Sequence, residues 1–308
     1  MNWAAEDIPD QTGRTTIVTG PTVGGLGFHV ALEIARRGGR VVLAGRSQST
    51  LDTAAATIRE ELPGADLTPL IVDLADLGSV RRAAAEAASL GPIHRLVNNA
   101  GVMATPARRT LDGLDLQLAT NHYGPFLLTG LLLTQLVEAG DSRVVAVASH
   151  MHRTATRAPL EDPRRAPSGR YHRWQTYGRS KLANLLFTFE LDRRLRAAGL
   201  PVKATAAHPG YAGTHLVVNG QMGGLGGRAS SILHAANRAI AQSAAAGALP
   251  VLMAATDDVP GSSYCGPSGP GEARGAPRLV GCSKLAQDPG AQRELWEVSE
   301  RTVGLTYP

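Results

Sequence analysis

The sequence predicts a doubly wound α/β fold, a parallel sheet with helices on both faces, built as one domain over residues 1–308. Three observations predict it. Through the first two-thirds of the chain, short runs rich in β-branched residues alternate with longer runs of helical apolar spacing, the pattern of repeated βαβ units. A glycine turn, "TGPTVGGLG" from Thr19 to Gly27, joins the first such strand to the first such helix. No Pro/Ser-rich linker breaks the alternation, and no repeat of solenoid length appears.

Taken in order, Thr15–Thr19 ("TTIVT") reads as the first strand, and Val30–Arg37, within the amphipathic "FHVALEIARRG", as the first helix. Arg40–Ala44 is the second strand and Leu51–Glu61 the second helix; Leu67–Val72 and Val80–Ser89 are the third pair. Arg95–Asn98, Val144–Ala148 and Val202–Ala206 complete the predicted strands. A long helical segment is expected from Leu111 to Val137 and another from Tyr177 to Ala198. Two regions leave this rhythm. Residues 150–174 are polar, proline-containing and weakly periodic, which suggests a surface insertion. Residues 210–230 contain "NGQMGGLGGR", but no strand leads into those glycines, so the strand–turn–helix context of a phosphate turn is missing.

Composition narrows the function classes. Hydrophobic residues make up 43% and charged residues 19%, ordinary for a soluble globular protein, and the 4% aromatic content implies an aliphatic core. The formal charge of +5 comes from scattered arginines. The one basic cluster, between Arg153 and Arg173, carries no aromatic-interleaved or zinc-ligand pattern, so no nucleic-acid partner is expected. Cys265 and Cys282 give neither a disulfide framework nor metal-ligand spacing; no metal site and a reduced, cytoplasmic setting are the simpler readings. "MNWAAEDIPDQTG" lacks the basic and apolar regions of a signal peptide. The apolar run Gly124–Gly140 is interrupted by Thr129, Thr134 and Gln135 and falls short of the roughly 18 clean residues of a membrane span, so a buried helix is expected rather than an integral membrane segment.

In open parallel sheets, ligands bind beyond the carboxyl ends of the strands where the strand order reverses. The glycine turn belongs there. Its glycines allow a tight turn and close approach to a pyrophosphate, and the following helix offers free N–H groups and the positive end of its dipole. "VVLAGRS" ends the second strand with a cation, Arg46, in place of the carboxylate that accepts bonds from ribose hydroxyls; a guanidinium suits a 2′-phosphate, which favours NADP(H) over NAD(H). Asp73, after the third strand, is placed either to bind an adenine amino group or to cap the next helix. "LVNNAGVM" ends the fourth strand with Asn99, Ala100 and Gly101, amide and backbone groups suited to line a cofactor. Asn121, in "LATNHYGPF", is a poor interior helix residue because its amide competes for backbone bonds, so either a functional cause or a local helix distortion is implied. In "QTYGRSKLAN", Tyr177 and Lys181 share one helix face at i, i+4 spacing. A phenol with pKa about 10 is a poor acid or base at neutrality, and a nearby ammonium favours its anion. Ser149 closes the strand "RVVAVAS", where its hydroxyl reaches the same cleft.

These motifs, in this order, resemble the short-chain dehydrogenase/reductase family, nearest to its retinol-dehydrogenase-like branch, over nearly the whole chain from "DIPDQTGRTTIVTG" through "NNAG", "YGRSKLAN" and "HPGYAGTHL". The resemblance implies a Rossmann-type fold and a catalytic tetrad of Asn121, Ser149, Tyr177 and Lys181. In it Tyr177 exchanges a proton with the substrate oxygen, Ser149 orients that oxygen, Lys181 binds ribose and lowers the tyrosine pKa, and Asn121 positions a relay water. It places Gly20, Thr22, Gly25, Leu26, Gly27, Arg46, Asp73, Leu74, Asn99, Ala100, Gly101, Tyr177, Lys181, Pro209, Gly210 and Thr214 against the cofactor, and a substrate lid at 212–240. The expected activity is NADP(H)-dependent carbonyl reduction or alcohol oxidation on a moderately large apolar ketone or alcohol, in a homodimer, a homotetramer or a monomer. A non-redox reaction driven by the Tyr–Lys pair, and a non-catalytic nucleotide-binding protein, are the alternatives. Three departures from the family pattern stand out. Gly20 and Gly25 have four residues between them where three are usual, Ala146 and Ala148 replace the common Asn and Ser, and Ser149 and Tyr177 are 28 positions apart.

Overall fold

The computed structural model describes residues 3–165, 170–211 and 242–308. The apolar β-branched runs pair into one sheet. Its strands are β1 (Thr15–Thr19), β2 (Arg40–Gly45), β3 (Leu67–Ile71), β4 (Arg95–Asn98), β5 (Ser142–Val147), β6 (Val202–Ala207), β7 (Tyr264–Pro267) and β8 (Pro277–Leu279). Their order is β3-β2-β1-β4-β5-β6-β7-β8, parallel throughout except for the antiparallel β7–β8 pair. The order reverses between β1 and β4, as the doubly wound reading requires.

Side chains alternate between the faces. Ile17, Val42 and Leu96 point into one core with helices α3 (Leu77–Ala87), α5 (Gly124–Leu131), α7 (Arg173–Ala197) and α9 (Pro289–Val303). Val18, Val41, Leu43 and Val97 point into the other, against α1 (Leu26–Arg36), α2 (Gln48–Glu61) and α8 (Ala244–Thr256). Phe126 and Trp296 meet edge to face at 5.0 Å, and Tyr307 donates from its hydroxyl to the Phe126 carbonyl at 3.0 Å, so the few aromatics gather where α5, α7 and the C-terminus meet. Among the described residues no helix is long and apolar enough to cross a membrane.

The expected helix Leu111–Val137 is the largest revision. Leu111 is 95% exposed in a turn closed by a bridge between Arg109 and Asp115. The Asp115 carboxylate then accepts from the N–H groups of Gln117 and Leu118, so the helix starts only at α4 (Leu116–Leu118). A π-helical turn, Ala119–Tyr123, follows before α5, and Leu132 leaves the helical region before α6 (Leu133–Glu138). β7, β8, α8 and α9 lie beyond the predicted alternation. β7 is four residues with Gly and Pro among them, and α8 carries Pro250 inside it, which is a helix breaker by its missing N–H. β5 starts at Ser142 and ends at Val147, leaving Ser149 just past the sheet.

Candidate active site

The sheet sets the site's frame. Thr19, the last residue of β1, is fully buried, and its Oγ1 accepts from the N–H groups of Asn99 (3.0 Å) and Ala100 (2.9 Å) after β4. In return the Asn99 amide donates to the carbonyls of Thr19 (2.7 Å) and Gly20 (3.2 Å). The two turns on either side of the switch point are therefore stitched into one unit. Asn99 belongs to this stitching, and Thr19 is a residue that sequence reasoning passed over. A threonine closing a wholly buried strand just before a glycine turn is the signal that points to it.

The stretch Pro21–Gly24, where the extra residue is expected, leads into a tight turn. Gly25 N–H donates to the Thr22 carbonyl at 2.8 Å, and Gly24 adopts φ +74°, closing a tight turn over Thr22–Gly25. Thr22 and Gly24 face solvent, while Pro21 is buried. Gly25 has no capping side chain and its own N–H is spent on the turn, so the free donors of α1 begin at Leu26 and Gly27. Gly27 sits where a Cβ would collide with the Asn99 amide and lie 2.7 Å from the Gly20 carbonyl.

Around that unit stand the other cofactor candidates. Arg46, directly after β2, is exposed and makes no hydrogen bond or ion pair to the described residues. Asp73 accepts from Ala75 N–H at 2.9 Å; the cap of α3 is Asp76, which accepts from Gly78 N–H, so capping does not account for Asp73. Leu74 is buried, and its carbonyl occupies the space a Cβ on Gly124 would need, which brings α5 tight against the turn after β3. A Cβ on Gly101 would lie 3.0 Å from Asn121 Oδ1 and 3.5 Å from Lys181 Nζ. Pro209 and Gly210 follow β6, and Gly210 N–H donates to His208 Nδ1 at 3.2 Å. Thr214 and the expected lid 212–240 lie outside the described residues.

The four expected catalytic residues converge at the ends of β4 and β5. Asn121 stands in the π-helical turn, so its unease in an α-helix coincides with a real distortion. Its Oδ1 accepts from Val102 N–H (2.8 Å), and its amide donates to the Val102 carbonyl (2.9 Å) and to Ser180 Oγ (2.9 Å). Tyr177 and Lys181, one turn apart on α7, are both buried. Burial pushes the Tyr177 phenol up to about 12, against a hydrogen bond with Ser149 that pulls it down. Lys181 stands 5.7 Å from the Tyr177 ring centroid, donates from Nζ to the Val147 carbonyl at 2.9 Å, and is brought down to about 8 by burial. Desolvation is the largest effect on both groups, raising the phenol and lowering the ammonium. Ser149 is half-buried and accepts from Met151 N–H at 3.2 Å.

No group of three or more His, Cys, Asp or Glu residues suited to a metal occurs among the described residues. A phenol, a hydroxyl and an ammonium at the mouth of a dinucleotide-type turn can hold a carbonyl or carbinol oxygen and pass it a proton.

Comparison with known proteins agrees with this geometry. Residues 14–158 match the family model for short chain dehydrogenase. The chain is 36% identical to human retinol dehydrogenase 13 over 300 residues, covering 96% of this chain and 86% of that protein. It is 41% identical to mouse polyprenol dehydrogenase over 214 residues, covering 68% of this chain and 63% of that one. A crystal structure of a Mycobacterium paratuberculosis protein of uncharacterized function superposes over 100% of both chains, with a TM-score of 0.82 and 39% identity.

Proposed function

The chain belongs to the short-chain dehydrogenase family, and from that premise we propose that it is an NADP(H)-dependent carbonyl reductase or alcohol dehydrogenase acting on a moderately large apolar ketone or alcohol. The observation that carries the proposal is the buried Tyr177 phenol, one helical turn from Lys181 and near enough to Ser149 for that side chain to lower its pKa, beside the stitched glycine turn. The residues present fit a dinucleotide. The uncapped start of α1 supplies N–H donors for a pyrophosphate, and an unpartnered guanidinium waits at the end of β2. The bound nicotinamide would supply or accept the hydride.

The chain's own residues handle the proton. With its pKa raised, Tyr177 is protonated at neutral pH, the state a carbonyl reduction draws on when the oxygen takes up negative charge. The Ser149 hydroxyl would hold the same oxygen beside the phenol. The Lys181 ammonium, now on the Val147 carbonyl, would donate to a ribose hydroxyl of the bound cofactor. Both amide hydrogens of Asn121 are engaged, so a relay water at this residue would bind to an acceptor atom. An apolar substrate accords with the names of two relatives, a retinol and a polyprenol dehydrogenase, and the retinol-dehydrogenase-like branch is the subgroup we favour.

Arg46 supports NADP(H): no described residue neutralises it, and a 2′-phosphate would. Parallel titrations with NADPH and NADH should give tighter binding of NADPH, and tighter NADH binding would overturn the cofactor assignment. Tyr177→Phe should abolish turnover of apolar ketones and leave cofactor binding close to wild type; full activity in that variant would overturn the role of the phenol.

A further inference from the structure

Ser149 lies where the sheet no longer holds the chain. The last ladder bond on this path is Ala148 N–H to the Ala207 carbonyl at 2.8 Å, and the next residues turn into a short 3-10 segment, His150–Thr154. Several contacts hold that turn in place, among them the Arg153 guanidinium on the Gly281 carbonyl at 2.6 Å, and two of them flank Ser149 itself. On the side of α7, Gly178 allows close approach: a Cβ there would lie 2.9 Å from the Met151 carbonyl, and Tyr177 is the next residue along. On the other side stands His152, 1% exposed, with its ring edge-on to Tyr264 at 5.7 Å.

The His152 ring makes two bonds that together fix its protons. Nε2 lies 3.1 Å from the backbone N–H of Ser283, 131 residues away in the loop that leads toward α9. A backbone N–H can only donate, so Nε2 carries no proton. Nδ1 lies 2.8 Å from the Ser149 carbonyl, which can only accept, so Nδ1 carries the proton. Each end of the imidazole thus accounts for the tautomer that the other end needs. The same carbonyl also accepts from the His152 N–H at 3.0 Å, so the peptide group of Ser149 is gripped twice by one residue.

We propose that His152 is a positioning residue for Ser149: held as the neutral Nδ1–H tautomer by Ser283, it fixes the Ser149 carbonyl and thereby the place where the Ser149 hydroxyl meets Tyr177. The proposal rests on the reading of Ser149 and Tyr177 as the proton-transfer pair. It gives the C-terminal loop a part in the site, since Ser283 fixes the ring that grips the Ser149 carbonyl. Burial lowers the His152 pKa to about 4, so the neutral ring persists through the range in which the enzyme would work.

Two variants separate positioning from packing. In His152→Asn the amide nitrogen occupies the place of Nδ1 and still donates to Ser149, while the bond to Ser283 is lost. In His152→Gln the terminal amide reaches the place of Nε2, keeps an acceptor for Ser283, and gives up the Ser149 bond. The proposal expects His152→Gln to lower kcat by about 10- to 100-fold with KM for the cofactor nearly unchanged, the size of effect that sub-ångström misplacement produces. It expects His152→Asn, which keeps the Ser149 bond without the Ser283 anchor, to recover part of that loss. Equal losses in the two variants, or a loss confined to KM, would overturn it. Nitrogen chemical shifts of the His152 ring in the wild-type protein test the tautomer without turnover. A protonated Nδ1 and a bare Nε2 on both sides of neutrality support the proposal, and the opposite tautomer, or titration near the ordinary histidine value, overturns it. A wild-type chain without any redox activity would refute the functional reading instead, and the ring shifts would then decide the assignment of His152.

Discussion

Replacing Gly27 with alanine tests the seat of the glycine turn directly. The new Cβ would collide with the Asn99 amide and stand 2.7 Å from the Gly20 carbonyl. The carbonyl belongs to Gly20, directly after β1, whose own N–H is held by the Ala44 carbonyl at 2.8 Å, so it has little room to yield. The Asn99 amide is the group that must move, and its bonds to the carbonyls of Thr19 and Gly20 go with it. Two buried hydrogen bonds at about 1 kcal/mol each, added to about 1–3 kcal/mol for overpacking, give a loss of roughly 3–5 kcal/mol. Gly25→Ala is the control. Gly25 has φ −92°, which any residue adopts, and its Cβ would approach only the Thr22 carbonyl at 3.0 Å, within the adaptable outer turn. Urea unfolding of the three proteins should rank wild type, Gly25→Ala and Gly27→Ala in falling order of stability, and NADPH affinity should fall most for Gly27→Ala. A Gly27→Ala protein within about 0.5 kcal/mol of wild type would refute the reasoning, because a surface-like tolerance is incompatible with that packing.

Two further outcomes follow from buried charge. Asp192, 1% exposed, accepts from Arg196, Ser262 and the backbone N–H of Ala204; the exposed Arg196 can turn to water, so Asp192→Ala should cost about 2–4 kcal/mol by stranding the Ser262 hydroxyl and the Ala204 N–H, measured as a lowered urea midpoint, and a loss below about 1 kcal/mol would contradict it. Burial holds His122 and His208 at about 3 and His152 at about 4, all below their unfolded value, so the unfolded chain binds more protons in between. Stability contributed by these rings is complete above about pH 6.5 and is lost as pH falls through 6 and 5 toward their folded pKa values, at about 1.4 kcal/mol per ring per pH unit, or about 4 for the three. Unfolding free energies measured between about pH 6 and pH 5 should show that slope, and a slope below that of one proton would contradict the burial of the rings as neutral species.

What could be read from the sequence was whatever a local pattern encodes. Strands β1, β2 and β5 were legible because each is a short run rich in β-branched residues and largely buried, and Tyr177 and Lys181 because i, i+4 spacing alone puts them on one face of α7. The π-helical turn at Asn121 was legible only as an anomaly. An asparagine amide inside an apolar helix signals a distortion without saying which one, and the bonds that use it run to Val102 and Ser180, in other parts of the chain. β7 and α8 were hidden by Gly and Pro residues that local propensity forbids and tertiary packing tolerates. The partnership of His152 with Ser283 spans 131 residues and rests on the direction of two hydrogen bonds, which no periodicity carries.

The same distinction explains why the additional residue near Pro21 is compatible with a working turn. A glycine turn of this kind has two parts with different tolerances. Its inner part, Gly20 and Gly27, is fixed by contact with Asn99 and with the end of β1, where even one methyl group has no space. Its outer part, Thr22 to Gly25, is a solvent-facing turn closed by a single backbone bond, and loops of that sort accept an added residue at the small entropic cost of a slightly longer loop. Spacing counted from the first glycine to the second therefore mixes a constrained distance with an unconstrained one. The constrained distance is spatial, between Gly20, Gly27 and the Asn99 amide, and the residue count along the chain does not measure it.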